Sequence, residues 1–253
     1  MYMLSFLIPL FLFLSAPIAD PNTTMEAPTE RPVLLELFTS QGCSSCPPAD
    51  RVLSRLNAEA RAGDLSVVAL SFHVDYWNRL GWTDPYSDAA YSQRQRIYAR
   101  KLGDNRVYTP ELVVDGRTGH VGSREREVRQ AIRSAGARQQ VLPVDISVMP
   151  SGKNTLELTY TLGQVPGGTL LQVVLVDPMV NNEVPRGENR GRHLEHVQVV
   201  RSFQTIESPK KSGTVQLDLN TLDYPEQGQV VVFLQDAETW HVLGVASLGL
   251  GGL

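Results

Sequence analysis

The sequence predicts an α/β domain, a mixed sheet with flanking helices, followed by an all-β sandwich. Two observations carry this. Between residues 33 and 141 strand-like and helix-like apolar patterns alternate in the order β-α-β-α-β-β-α, the layer logic of a helix-covered sheet. After Pro143 the helical period disappears and seven short strand patterns follow, most of them separated by Gly, Pro, Asn and Asp turns. The 253 residues, 42% hydrophobic and 20% charged, are enough for two modest domains. The expected boundaries are 33–141 and 142–253, preceded by an export signal or N-terminal anchor over 1–19 and a linker over 20–32.

Each element has its own pattern. Val33 to Phe38 is a short apolar run, read as a buried strand. Ala49, Val52, Leu53 and Leu56 fall at helical spacing, and Gly63 marks the stop. Ser66 to His73 is a second buried strand, followed by the polar and aromatic segment Asp75 to Trp82. A helix is predicted over Ser87 to Leu102, with Ala90, Tyr91, Ile97 and Tyr98 on one side. Leu112 to Val114 enters an Asp115-Gly116 turn, with Gly119 to Val121 returning. Ser123 is a candidate cap for a last helix whose face is Val128, Ala131, Ile132 and Ala135. In the second half the predicted strands begin at Val144, Leu156, Leu171, His196, Thr214, Val230 and His241.

Composition excludes several classes. A net charge of -4 lacks the basic footprint of a nucleic-acid binder, so none is expected as a partner. One apolar run, Leu4 to Leu14, followed by Ser15, Ala16 and Ala19, has signal-peptide length and excludes a polytopic membrane protein. It predicts a periplasmic or secreted location, with membrane contact only if the segment stays uncleaved. Asn22-Thr23-Thr24 fits a glycosylation acceptor. Net charge changes sign along the chain, from +4 over 31–141 to -5 over 142–253.

Two cysteines are too few to staple a fold, and both stand in Cys43-Ser44-Ser45-Cys46, between the first strand and the first helix. Backbone N–H groups and the dipole at a helix N-terminus favour thiolate, the nucleophile of disulfide exchange. Cys43 is therefore the expected attacking thiol and Cys46 the resolving one, with Pro47 and Pro48 tolerated in the first turn. A Cys-x-x-Cys at this point of a βαβ pattern reads as thioredoxin-like. Thr109-Pro110 ahead of the third strand resembles the Thr-Pro of thioredoxin folds, where the proline is usually cis and lies against the cysteine pair. On this reading Pro110 shapes the substrate surface.

The run from Leu35 to Asp50, the blocks Ser71 to Trp77 with Gly81-Trp82 and Val107 to Pro110, and the C-terminal block Gly187 to Arg192 with Val199 to Arg201 together resemble a secreted bacterial family, domain of unknown function 1223. The resemblance implies a thioredoxin-like domain and leaves the substrate unassigned.

His73 is the candidate acid–base partner of Cys43, with Asp75 to orient it, against the alternative of an ordinary hydrogen-bonded sheet residue. Thr109, Tyr76, Trp77 and Trp82 are candidate substrate contacts; the aromatics can equally be core or rim. Thiol–disulfide exchange with a protein or small thiol or disulfide is the leading function, without cofactor. The alternative is a non-catalytic binding module in which the pair is a structural disulfide or, with His73, holds Cu(I). His193 and His196, three apart on an extended strand, face opposite sides and make no metal pair. Glu188, Asn189, Arg190 and Arg192 crowd a Gly-bounded loop, read as a partner- or ligand-binding loop, one that caps the redox domain, or a loop held by its own side-chain-to-backbone hydrogen bonds.

Overall fold

The computed structural model describes residues 31–138 and 142–251. The export segment, most of the linker and the glycosylation acceptor lie outside the described residues.

The first half follows its apolar pattern. β1 (Val33–Thr39) and β2 (Val67–His73) run parallel, joined by α1 (Pro47–Ala62). A 3-10 helix, Asp75–Leu80, precedes α2 (Ala89–Lys101). β3 (Glu111–Val114) returns antiparallel to β1 and pairs with β4 (Thr118–Val121), and α3 (Glu125–Gly136) closes the half. Asp115 and Gly116 both take positive φ in the β3–β4 turn, as the Asp-Gly pair predicts. Gly63 ends α1 in the left-handed conformation.

Alternation along β1 sorts its side chains between two cores. Val33, Leu35 and Leu37 meet Val52, Leu53 and Leu56 of α1 and Val128 and Ile132 of α3. Leu34 and Phe38 face the other side, with Phe72, Tyr91 and Tyr98. The sheet therefore lies between α1 and α3 on one face and α2 on the other.

Two helix details differ from expectation. Arg124 rather than Ser123 is the residue ahead of α3, and it makes no side-chain cap. On α2, Ala90 is exposed, while Ser92, Arg94 and Gln95 are buried beside Tyr91 and Tyr98. Their polar groups have partners: Arg94 Nε donates to Glu36 at 2.6 Å and Gln95 Nε2 to Glu111 at 2.8 Å. The Arg94 guanidinium also lies 4.8–5.6 Å from the ring centres of Phe72, Tyr98, Phe203, Phe233 and Trp240.

All seven strands of the second half form: β5 (Val144–Pro150), β6 (Thr155–Leu162), β7 (Thr169–Val184), β8 (Arg192–Glu207), β9 (Ser212–Asp218), β10 (Gln229–Asp236) and β11 (Val242–Gly249). They divide between two sheets. β5, β6 and β9 make a three-stranded antiparallel sheet, while the rest continue the first sheet in the order β11-β10-β7-β8-β2-β1-β3-β4. The fold is a mixed α/β structure of eight strands with helices, plus this smaller sheet. The two sheets share a core in which Leu158, Tyr160 and Leu217 meet Val173, Leu175 and Val232.

The expected separate sandwich is thus a layer that shares its larger sheet with the first half. The join is β8 against β2, in register at Ser71↔Val199. Val197 packs into the α1/α3 core and Val200 into the α2 core, so β8 is buried on both faces there. It covers an edge that β2 would otherwise expose.

Candidate functional site

β1 ends at Thr39, and residues 40–42 turn the chain into the cysteine segment. Cys46 flanks the N-terminus of α1, and the two prolines occupy the first helical positions, where no N–H is required. The Ala49 and Asp50 amides both donate to the Cys46 carbonyl, at 2.8 and 3.1 Å. Cys43 and Cys46 form a disulfide, and neither has exposed surface. Gly42 packs closely: a Cβ there would stand 3.0 Å from Trp77 Cβ, tighter than most such contacts.

The Thr109–Pro110 bond is cis. Thr109 Oγ1 lies 3.3 Å from Cys43 Sγ as donor and accepts from the Trp77 indole N–H at 2.8 Å. Ser45 Oγ is 3.4 Å from Cys43 Sγ and donates to the Thr109 carbonyl at 3.4 Å. The Trp82 indole N–H donates to Gln41 Oε1 at 3.1 Å. Both tryptophans are half-buried and tie down the loops around the disulfide. Tyr76 is held to the side, its hydroxyl on Gln95 Oε1 at 3.1 Å. Beside it, Glu111 follows Pro110 directly, and burial pushes its carboxyl up to about 7, against the Gln95 hydrogen bond that lowers it.

His73, buried at the end of β2, is oriented by Asp84 and not by Asp75. Its Nδ1 lies 2.7 Å from Asp84 Oδ2, which also accepts from the Gln41 amide at 2.7 Å. Asp75 is engaged elsewhere, accepting from Ser92 Oγ at 2.5 Å. Burial pushes the Asp84 carboxyl up, but His73 and the Gln41 and Tyr86 amides outweigh it and leave it below its ordinary value. The His73 and His196 rings stack edge to face with centres 4.5 Å apart. His196 Nδ1 stands 3.6 Å from Asp50 Oδ1, and Asp50 accepts from Thr39 Oγ1 at 2.8 Å. Burial works against a charged His196, but Asp50, with Asp84 and Glu195, outweighs it and raises its pKa. His73 Nε2 and both His196 ring nitrogens are buried without a hydrogen-bond partner.

Sequence reasoning missed Asp84, His196 and Asp50 as neighbours of the site. The one available signal was the placement of His196 on an inward position of β8; His193, as expected, is exposed on the other side. For the Cu(I) alternative, the described residues contain no group of three or more His, Cys, Asp or Glu side chains placed to hold a metal ion.

The loop over 185–191, at the tip of the β7–β8 hairpin, lies on the cysteine turn. Asn189 is buried, and its Nδ2 donates to the carbonyls of Gln41 and Cys43, both at 2.9 Å. Glu188 Oε2 accepts from the Ser44 amide at 3.0 Å. Of the three readings of this loop, a cap over the cysteine site is the one its contacts describe.

The family model described as Protein of unknown function (DUF1223) matches residues 34–235. The chain belongs to the DUF1223 family. Both cysteines, Thr109-Pro110, His73 and the 185–191 loop lie within the match. The crystal structure of protein AGR_C_4864 from Agrobacterium tumefaciens is similar, at 30% identity over 87% of this chain and 95% of that one, with a TM-score of 0.66. A domain of the outer membrane lipoprotein Omp28 from Porphyromonas gingivalis is far more distant, at 12% identity over 45% of this chain and 91% of that one, with a TM-score of 0.30. No curated protein matches this DUF1223 chain.

Proposed function

We propose that residues 33–141 are a thioredoxin-like domain and that the protein, exported from the cytoplasm, exchanges disulfides with a protein or small thiol through Cys43 and Cys46. The observation that carries this reading is the Cys43–Cys46 disulfide at the start of α1, with Thr109 Oγ1 3.3 Å from Cys43 Sγ. The βαβ order around the pair and the Thr109-Pro110 loop support the same fold.

In the exchange a partner thiolate attacks Cys43 Sγ, and the bond to Cys46 breaks. Cys46 leaves as a thiolate and takes a proton. A second thiolate of the partner then attacks its own sulfur in the mixed disulfide and releases Cys43. The partner dithiol is oxidised by two electrons and the pair is reduced; the reverse sequence reduces a partner disulfide. Thr109 and Ser45 border the sulfur that is attacked, and Trp77 holds the Thr109 hydroxyl in place.

A Cys46→Ser variant tests the reading, because it cannot resolve a mixed disulfide. Covalent complexes on Cys43 that dissolve with reductant are expected. The lack of exposed surface on either cysteine favours a second reading, a static structural bridge. No trapped complex, together with a reduction potential below about -300 mV, is the result that selects it.

A further inference from the structure

We propose that the 185–191 loop is a latch over the cysteine pair, and that Glu188 is the positioning residue controlling both access to Cys43 and the stability of its thiolate. This rests on the reading of the pair as an exchanging disulfide.

Three observations converge. Cys43 has no exposed surface, yet an attacking sulfur must reach its Sγ in line with the bond to Cys46. Thr109 and Trp77 crowd the cysteine turn from the Thr109-Pro110 loop and the 3-10 helix, by way of the contacts at Cys43 Sγ and Gly42, and Ser45 Oγ covers the sulfur from within the turn. The loop adds a third set of contacts: Asn189 on the carbonyls of Gln41 and Cys43, and Glu188 on the Ser44 amide. Of the loop's hydrogen bonds to the turn, the one that exposed Glu188 accepts is the easiest to release.

The Glu188 contact has a second consequence. Amides following the first cysteine of such a turn are the donors that stabilise its thiolate. In the closed state a carboxylate already occupies the Ser44 amide, so a thiolate forming on Cys43 loses that donor and meets a like charge. Among the described side chains hydrogen-bonded to the 43–46 turn, Glu188 alone is ionisable; the others are Ser45, Thr109 and Asn189. Asp50, one turn into α1, directs its carboxylate to Thr39 and faces His196. Opening the latch therefore exposes the sulfur and frees its donor in one movement.

Two variants of the full chain separate the effects. Glu188→Ala removes both latch and charge, whereas Glu188→Gln keeps an acceptor for the Ser44 amide and removes only the charge. The first readout is the rate at which dithiothreitol reduces the oxidised protein. The second is the pH profile of Cys43 alkylation by iodoacetamide in the reduced protein. We expect Glu188→Ala to be reduced about two- to fivefold faster, as suits one exposed charged contact, and Glu188→Gln to stay near the parent rate. Both variants should move the alkylation profile to lower pH, which loss of a merely structural contact would not do. Parent-like reduction of Glu188→Ala, or an unmoved profile in both variants, overturns the proposal. Because dithiothreitol needs no natural partner, these results are independent of whether Cys46→Ser traps one.

Discussion

Replacing Glu111 by Gln should flatten the pH dependence of stability between mildly acid and alkaline conditions. Glu111 is 3% exposed on β3, and Gln95 Nε2 donates to its Oε2 at 2.8 Å. Among the described residues no cation pairs with it, and burial lifts its pKa from 4.5 to about 7. A folded-state value above the unfolded one means that the folded protein holds this proton more tightly. The stabilisation is complete below the unfolded value and is lost as pH rises through about 7. At about 1.36 kcal/mol per pKa unit, the whole difference is about 3 kcal/mol as an upper value. A Gln side chain keeps an acceptor for Gln95 and has no proton to lose. Urea unfolding of parent and Glu111→Gln at pH 5 and pH 8 measures the effect. The two should be close at pH 5, with the variant more stable by up to about 3 kcal/mol at pH 8. Equal differences at both pH values would refute the assignment of an uncompensated buried carboxyl.

Two further outcomes follow from buried charge. Arg94→Met leaves Glu36 buried without its cation and should cost about 3–5 kcal/mol in denaturant unfolding, while Glu36→Leu with Arg94→Met should recover most of that loss. A double variant no more stable than the single one would mean that the aromatic cage, not the ion pair, needs the guanidinium. The raised pKa of His196 makes its charged form a stabiliser below about 6.5, lost as pH climbs through the higher folded value. His196→Gln should therefore lose more stability relative to the parent at pH 6 than at pH 9, and a pH-independent difference would contradict the pairing with Asp50.

What could be read from the sequence was whatever local period encodes. The α1 face, the Asp115-Gly116 turn and the existence of the seven second-half strands come from spacing within a dozen residues, although β8 begins at Arg192, four residues before the expected His196. The cysteine pair was legible because its chemistry depends on two positions three apart at one helix start. α2 was only half legible. Its buried face carries Ser92, Arg94 and Gln95, and these read as solvated until their partners are known: Asp75, Glu36 and Glu111 lie on other elements. The same holds at the site. Asp75 is next but one to His73 in sequence, yet Asp84 orients the ring, because the turn after the 3-10 helix brings the chain back to Gln41 and His73. Polar pairing across long separations leaves no period to read.

The length of β7 and β8 is the feature that joins these parts. β7 pairs with β10 only over Thr169–Val176, and beyond Asp177 it continues with β8 alone. At about 3.3 Å per residue, the stretch 177–184 carries the hairpin roughly 25 Å past the end of its pairing with β10. The ladder skips Pro178 and Gln198, and Gln198 takes positive φ, so the hairpin is irregular where it leaves β10. Its far end supplies Asn189 and Glu188 to the cysteine turn, while β8 covers the edge of β2 and places His196 beside His73. A chain ending near residue 141 would keep both cysteines and lose the cover of β2, the His196–Asp50 contact and every hydrogen bond that closes the turn from above. The second half is therefore a structural part of the site in the first, which is why the cysteine motif alone underdetermines the behaviour of the pair.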